Sequence, residues 1–328
     1  YLHASVEETL YIWEPDGFQT PQPTDGSIRV LQLKQAMYGL HQAGRQWNLK
    51  LHKTLISFGF VASRSDRCLY LLRANDALVM TLIVTVDDIL AAFHPNTHAH
   101  IYDQLLRHLE ASVTSPKDIR DLGDATSYIG LTIDYNREQQ LLRLHQSPTN
   151  EKSLINKLKT LTRLESWKPT RNSTRRASTP GRFKKQLSID DCPEPNSEEW
   201  KYMQKVPYRT VLGILLFLTI MTRIDALFDV LQGTRVAHNP GYVHWKHLKN
   251  VAKYFITFPR LGLTYDGKVP LTDFHVFWDA DWASNPDTRR SVTGYVFMMC
   301  GAAVHYVSRI QKLVAKSSFE SELISLYS

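Results

Sequence analysis

Two neighbouring carboxylates, Asp87-Asp88, sit between two apolar runs in residues 78–93, LVMTLIVTVDDILAAF. Their oxygens are the hard ligands that a divalent cation takes, and strands buried on either side would hold the pair ready for metal-assisted chemistry. A plainer reading stands beside this one, because acidic residues are common at hairpin tips for turn reasons alone. A second acidic set lies further along, Asp279-Ala280-Asp281 together with Glu322 in Ser317-Ser318-Phe319-Glu320-Ser321-Glu322. Ser317 with Glu320 three residues later reads as a capping box, which gives Glu320 a structural task and leaves Glu322 freer for chemistry. The third feature is cationic. Residues 152–185 hold eleven Lys or Arg, among them Lys157, Lys159, Arg163, Arg175 and Arg176, against one acid, Glu165. That concentration would neutralise phosphates and release counterions, giving salt-sensitive, sequence-independent nucleic-acid binding. It would serve equally as a solvated linker that like charges keep extended.

The elements that must carry these groups follow from periodicity. Residues 1–32 alternate short apolar pieces with Pro and Gly, as strands and loops of a domain edge do. Over residues 33–60, Trp47, Leu51 and Leu55 recur at four-residue spacing and predict one face of a helix. Gly39 and Gly44 interrupt its first half, marking a turn or the close approach of a backbone or a ligand. Residues 78–93 read as two strands meeting at Asp87-Asp88, residues 97–109 as a helix, and residues 128–144 as a hairpin around Asn136-Arg137-Glu138. Residues 206–256 are expected to be helical, with Leu248, Val251, Tyr254 and Phe255 at helical spacing and Trp245 in the core. Finally, a strand over residues 274–278 leads into Asp279, strands over 291–299 and 303–308 pair across Cys300-Gly301, and Ser317 opens a helix. A carboxylate at the end of a first strand, then a hairpin, then a helix bearing another carboxylate is how a ribonuclease H fold begins its metal site. Many other mixed folds also place an Asp at a strand end.

Composition bounds the rest. A chain of 328 residues, 43% hydrophobic and 22% charged, is long enough for two or three domains with buried cores. The net charge of +7 resides in the basic stretch, without which the chain is slightly acidic. The longest apolar run, residues 212–221, is about half of the roughly 20 residues that a membrane span needs. No charged-then-apolar signal segment opens the chain, so neither a membrane nor secretion is expected. Cys68, Cys192 and Cys300 are too widely spaced for a zinc pattern and odd in number for a disulfide framework; a reducing interior suits them. The pattern starts at once from Tyr1, as a segment of something longer would.

Residues 30–47, VLQLKQAMYGLHQAGRQW, resemble the signature of copia-type LTR retrotransposon reverse transcriptases, in which a Lys-containing run leads to Tyr-Gly-Leu, Gln-Ala, Arg and Trp. Glu7-Glu8-Thr9-Leu10-Tyr11 and Pro15-Asp16-Gly17-Phe18 upstream are similar to the same family. So are Phe58-Gly59-Phe60, Ser65-Asp66, Cys68-Leu69-Tyr70, Val86-Asp87-Asp88-Ile89-Leu90 and Tyr128-Ile129-Gly130-Leu131 downstream. Tyr208-Arg209, Thr222-Arg223, Asp225, His244-Trp245 and Gly262-Leu263 resemble its connection region. The segments Asp279 to Ala283, Asp287-Thr288-Arg289-Arg290-Ser291, Thr293-Gly294-Tyr295-Val296-Phe297 and Ser317 to Glu322 resemble its ribonuclease H.

The resemblance implies an α+β protein: a right-hand polymerase palm and fingers fragment over residues 1–148 and a basic thumb-like or linker segment over 149–200. A helical connection over 201–268 and a truncated ribonuclease H-like α/β domain over 269–328 would follow. It implies RNA-directed DNA synthesis by two-metal nucleotidyl transfer, with Mg²⁺ held by Asp87 and Asp88, and by Asp279 and Glu322 in the nuclease part. Tyr38, Gly39, Gln42 and Arg45 would line the incoming nucleotide and template, and Lys157, Lys159, Arg163, Arg175 and Arg176 would meet nucleic acid. The implied partners are an RNA template, a DNA primer, an RNA:DNA hybrid, dNTPs and the rest of a Pol polyprotein, in a cytoplasmic virus-like particle or the nucleus. The family's third palm aspartate is expected just before the residue matching Leu2, off the start of the chain, and further nuclease carboxylates beyond Ser328. Thr85 stands where the family usually has Tyr, and Gly44 where it usually has Pro. Two rival readings remain: an inactive remnant of such an element, and a nucleic-acid-binding protein without catalysis.

Overall fold

The computed structural model describes residues 8–327 except 19, 22, 38, 114, 148–152, 168–178 and 182–185. Among these it is a mixed α/β protein with four sheets and eight α-helices. The chain divides into two compact units, residues 1–125 and 126–328.

In the first unit, β1 (Tyr11–Ile12) pairs antiparallel with β2 (Leu31–Gln32), the edge ladder expected there. Gly39 has φ +96, so the chain turns before helix α1 (Ala43–Phe58) begins, and the predicted helix is shorter at its start. Ala43, Trp47, Leu51 and Leu55 are its buried side. It stops at Gly59, whose left-handed backbone (φ +116) lets Phe60 N–H reach Leu55 O, a Schellman-type closure open to glycine without penalty. Four strands follow in one antiparallel sheet: β3 (Val61–Ala62), β4 (Leu69–Ala74), β5 (Ala77–Thr85) and β6 (Asp88–Phe93). Helix α2 (Pro95–Ser112), with Pro in its first turn, buries Leu105 and Leu109.

Strand alternation sends Tyr70, Met80, Leu82 and Val84 into one core with Trp47, Leu51, Leu55, Leu105 and Leu109. The opposite face carries Ile83, Thr85 and, through the Thr85↔Asp88 pair, Asp88. Each fully buried large apolar side chain contributes about 1.5–3 kcal/mol. A one-residue slip would expose several of them together, so burial fixes the register that keeps Asp88 outside the core.

The second unit holds a sheet in the order β10-β9-β8-β7, built from β7 (Ser127–Tyr128), β8 (Leu131–Asn136), β9 (Leu141–His145) and β10 (Gly262–Asp266). The expected hairpin around residues 136–138 is the β8–β9 turn. Between β9 and β10 the chain forms α3 (Leu154–Thr162), α4 (Glu198–Met203), α5 (Tyr208–Met221), α6 (Leu227–Arg235) and α7 (Tyr242–Thr257). Trp245 is a core residue here, as expected. Gly233 lets α6 and α7 approach, since a Cβ there would lie 2.9 Å from Leu248 Cδ2.

Helix α3 lies inside the stretch for which an extended linker was one reading. Ile155, Leu158 and Thr162 point into the helical core, and the Ser153 hydroxyl caps the helix by accepting from Asn156 N–H. An apolar stripe at helical spacing outweighs the local charge, which stays on the outer side.

The last elements are β11 (Phe274–Asp281), β12 (Val292–Met299), β13 (Ala302–Ile310) and α8 (Ser318–Leu326), with the strands in sequential antiparallel order. Cys300 (φ 51) and Gly301 (φ 78) form the tight loop between β12 and β13, a type I′ pattern. Strand β11 runs on through Asp281 rather than stopping at residue 278, because Asp279, Ala280 and Asp281 pair with Gly294, Thr293 and Val292. The three cysteines are free. No helix among the described residues is long and apolar enough to cross a membrane.

Candidate functional site

The Thr85↔Asp88 pair leaves Val86 and Asp87 as a two-residue loop. Val86 has φ +58, the first-position left-handed geometry for which a hairpin favours glycine. A β-branched residue there costs about 1–2 kcal/mol. Turn requirements alone therefore do not account for this sequence, and strain of this kind gathers at functional sites. Asp87 and Asp88 are both exposed at this tip. The Trp47 indole N–H donates to Val86 O at 2.6 Å, so α1 is tied to the turn across 39 residues of sequence.

The other residues of the same candidate site stand where α1 begins. Gly39 is in the preceding turn, with nothing within 4 Å of where a Cβ would lie. Gln42 immediately precedes the helix and makes no side-chain cap hydrogen bond, while Arg45 is exposed in the first turn. Tyr38 lies outside the described residues.

The second acidic set is assembled by α8. Glu322 Oε1 accepts from Ala280 N–H at 3.3 Å and the Ser325 hydroxyl donates to Asp279 O at 3.0 Å, which brings Glu322 against the strand that carries Asp279. Glu322 thus has a backbone contact of its own beside the structural task of Glu320. Ser317 Oγ accepts from Glu320 N–H as a capping box requires, but Glu320 Oε2 accepts from Lys316 N–H. Asp281 accepts from Gln186 Nε2 at 3.0 Å.

Of the cationic candidates, Lys157 is exposed on α3, Lys159 Nζ donates to Asn156 Oδ1 at 3.1 Å, and Arg163 is the exposed left-handed cap that ends the helix. Arg175 and Arg176 lie outside the described residues.

Two buried polar knots were not foreseen. Arg223 chelates Asp225 through Nε and Nη2 at 3.0 and 2.9 Å, donates to Phe258 O, and lies over the rings of Phe255 and Tyr254. Burial, then the hydrogen bond to Asp225, pushes the Tyr254 phenol up to about 12. Asp287 accepts from the Ser188 hydroxyl, Ile189 N–H and Arg235. Burial alone would raise its pKa; these three donors outweigh burial and hold it below the usual carboxylate value. The motifs named Arg223, Asp225 and Asp287, but nothing in their spacing reveals partners that lie far along the chain.

Among the described residues no cluster of three or more His, Cys, Asp or Glu suited to a metal ion occurs. The Asp87-Asp88 tip nevertheless fits Mg²⁺ in donor chemistry, since that ion is usually held by one or two carboxylates together with water and substrate phosphates.

Known proteins place these features in a family. The family described as reverse transcriptase (RNA-dependent DNA polymerase) matches residues 1–165. The chain is 31% identical over 325 residues to the retrovirus-related Pol polyprotein from transposon TNT 1-94 of Nicotiana tabacum, covering 99% of this chain and 23% of that one. It is 28% identical over 329 residues to that from transposon RE2 of Arabidopsis thaliana, covering 99% and 20%. A transposon Ty5-1 protein of Saccharomyces cerevisiae is 27% identical over 331 residues, which is 99% of this chain and 96% of that protein. The chain thus spans about a fifth to a quarter of these two Pol polyproteins. No solved structure matches it. With the family match running through the turn that displays Asp87 and Asp88 and the helix tied to it, the chain belongs to the reverse transcriptase (RNA-dependent DNA polymerase) family.

Proposed function

We propose that the chain is the RNA-directed DNA polymerase portion of a copia-type retrotransposon Pol polyprotein, with part of its ribonuclease H. The reading takes residues 1–148 as fingers and palm, 149–200 as a basic thumb-like segment, 201–268 as the connection and 269–328 as the nuclease part. The observation that carries it is the Val86-Asp87-Asp88 tip, where two adjacent carboxylates are displayed on a strained turn within the region that matches the family.

Asp87 and Asp88 would hold Mg²⁺, which when bound stabilises negative charge on the oxygens of an in-line phosphoryl displacement. Arg45, exposed at the start of α1, offers a planar fork of donors that suits the phosphates of an incoming dNTP, and Gln42 beside it offers an amide. The open glycine at position 39 leaves backbone accessible there. Lys157, Lys159 and Arg163 would attract the phosphates of the RNA template and DNA primer. In the nuclease part Asp279 and Glu322 would act together on an RNA:DNA hybrid.

The test is a trapped complex. A dideoxy-terminated primer annealed to RNA is bound by the chain, and its survival against excess competitor is followed by gel shift. The next correct dNTP with Mg²⁺ is expected to lengthen that survival, an Asp87→Asn, Asp88→Asn double variant being unresponsive. Binding that is equal with and without dNTP, in both proteins, would instead favour a nucleic-acid-binding protein without catalysis.

A further inference from the structure

We infer that Trp47 is a positioning residue for the Asp87-Asp88 turn: its indole N–H holds the Val86 carbonyl and so fixes the left-handed backbone from which both carboxylates project. The inference rests on reading Asp87 and Asp88 as metal ligands, and it adds a residue whose spacing marks it only as helix core.

An indole has a single donor. That of Trp47 goes neither to its own helix nor to the sheet ladder but to the carbonyl of the one strained residue in the β5–β6 loop, at 2.6 Å. The ring itself is buried among Leu51, Leu55 and Val84. Packing of that kind could be supplied by Phe or Leu; the hydrogen bond could not. Val86 is β-branched and disfavours φ +58, so the turn needs an outside hold to stay in that geometry. A peptide unit pinned at its oxygen cannot rotate without breaking the bond, and the peptide pinned here joins Val86 to Asp87. Leu51 and Leu55 lie on the same helix face and belong to the same core, so packing and positioning can be separated experimentally.

The experiment follows the amide resonances of Asp87 and Asp88 in the ¹⁵N-labelled chain as Mn²⁺, a paramagnetic substitute for Mg²⁺, is added. Trp47→Phe keeps a ring and removes the donor, and Leu51→Ala loosens the same core without touching the turn. The Mn²⁺ concentration giving half-broadening should rise roughly fivefold in Trp47→Phe, the order of one missing hydrogen bond, and stay within about twofold of the parent in Leu51→Ala. In a Val86→Gly background, where glycine adopts the left-handed backbone freely, the effect of Trp47→Phe should shrink to less than about twofold. An unchanged response in Trp47→Phe, or equal losses in Trp47→Phe and Leu51→Ala, overturns the inference while leaving the metal reading intact. No broadening in the parent overturns the metal reading and this inference with it. Should Trp47→Phe not fold, the parent alone decides: Mg²⁺ is expected to slow exchange of the Trp47 indole proton with water, and exchange that Mg²⁺ does not alter overturns the inference.

Discussion

Arg223 shows how much a single residue can carry that spacing does not reveal. Its guanidinium is nearly fully buried, whereas the Asp225 carboxylate is about a third exposed, at 36%. Asp225→Ala would leave a buried cation unpaired. The expected cost is about 3 kcal/mol, the low end for breaking a buried pair because Asp225 keeps some contact with water. Thermal unfolding of the variant measures it, and a change below about 1 kcal/mol would mean that the ring stacking and Phe258 O suffice. Asp287 gives a pH-dependent counterpart. Its pKa is depressed in the folded state, so its contribution is present above the ordinary aspartate value of 3.8 and is lost as pH falls through the lower folded value. Asp287→Asn should therefore be less stable than the parent at pH 7, and denaturant midpoints of the two proteins should converge below about pH 3.8. A gap independent of pH would assign the effect to shape alone. At this scale the sequence exposed the acids Asp87, Asp88, Asp279 and Glu322 as candidates. It did not expose Trp47 N–H on Val86 O, because a hydrogen bond across 39 residues leaves no local pattern.

Elements were more legible, since periodicity is a local property. The four-residue spacing of Trp47, Leu51 and Leu55 predicts the buried face of α1, and the apolar runs on either side of Asp87-Asp88 are the two strands expected there. Helix α3 was obscured because its charged residues, judged by composition, hid the buried stripe of Ile155 and Leu158. Leu158→Ala should cost about 2–5 kcal/mol in the second unit, as removing a buried leucine does. A loss below about 0.5 kcal/mol on chemical unfolding would contradict the packed helix. Gly262→Ala tests the β9–β10 ladder, for a Cβ at Gly262 would lie 2.3 Å from Leu144 O, a backbone atom that no rotamer change can move. Amide exchange in residues 141–145 should speed up in that variant and stay slow in residues 131–136. Uniform protection in both strands would show that the ladder tolerates the side chain.

For the molecule as a whole, charge bears on how the proposed site would meet nucleic acid. The net +7 originates in residues 152–185, and the described part of that stretch shows Lys157 and Arg163 exposed on a packed helix. Replacing Lys157, Lys159 and Arg163 by Gln should flatten the salt dependence of nucleic-acid binding by up to about 3 in the slope of log K against log salt, roughly 0.9 for each phosphate no longer neutralised. An unchanged slope would mean that other cations meet the phosphates. The division at residues 125 and 126 was not readable from the sequence, because β9 pairs with β10 from far down the chain and β8 and β7 extend the same sheet. The most direct measurement is primer extension on an RNA template with Mg²⁺, comparing the chain with Asp87→Asn and Asp88→Asn. Extension by the parent that falls at least about a hundredfold in each variant is the predicted result, as expected when a preorganised electrostatic group is removed from the reacting centre. Extension that survives both substitutions, or a folded parent that binds primer and template but never extends them, would contradict it.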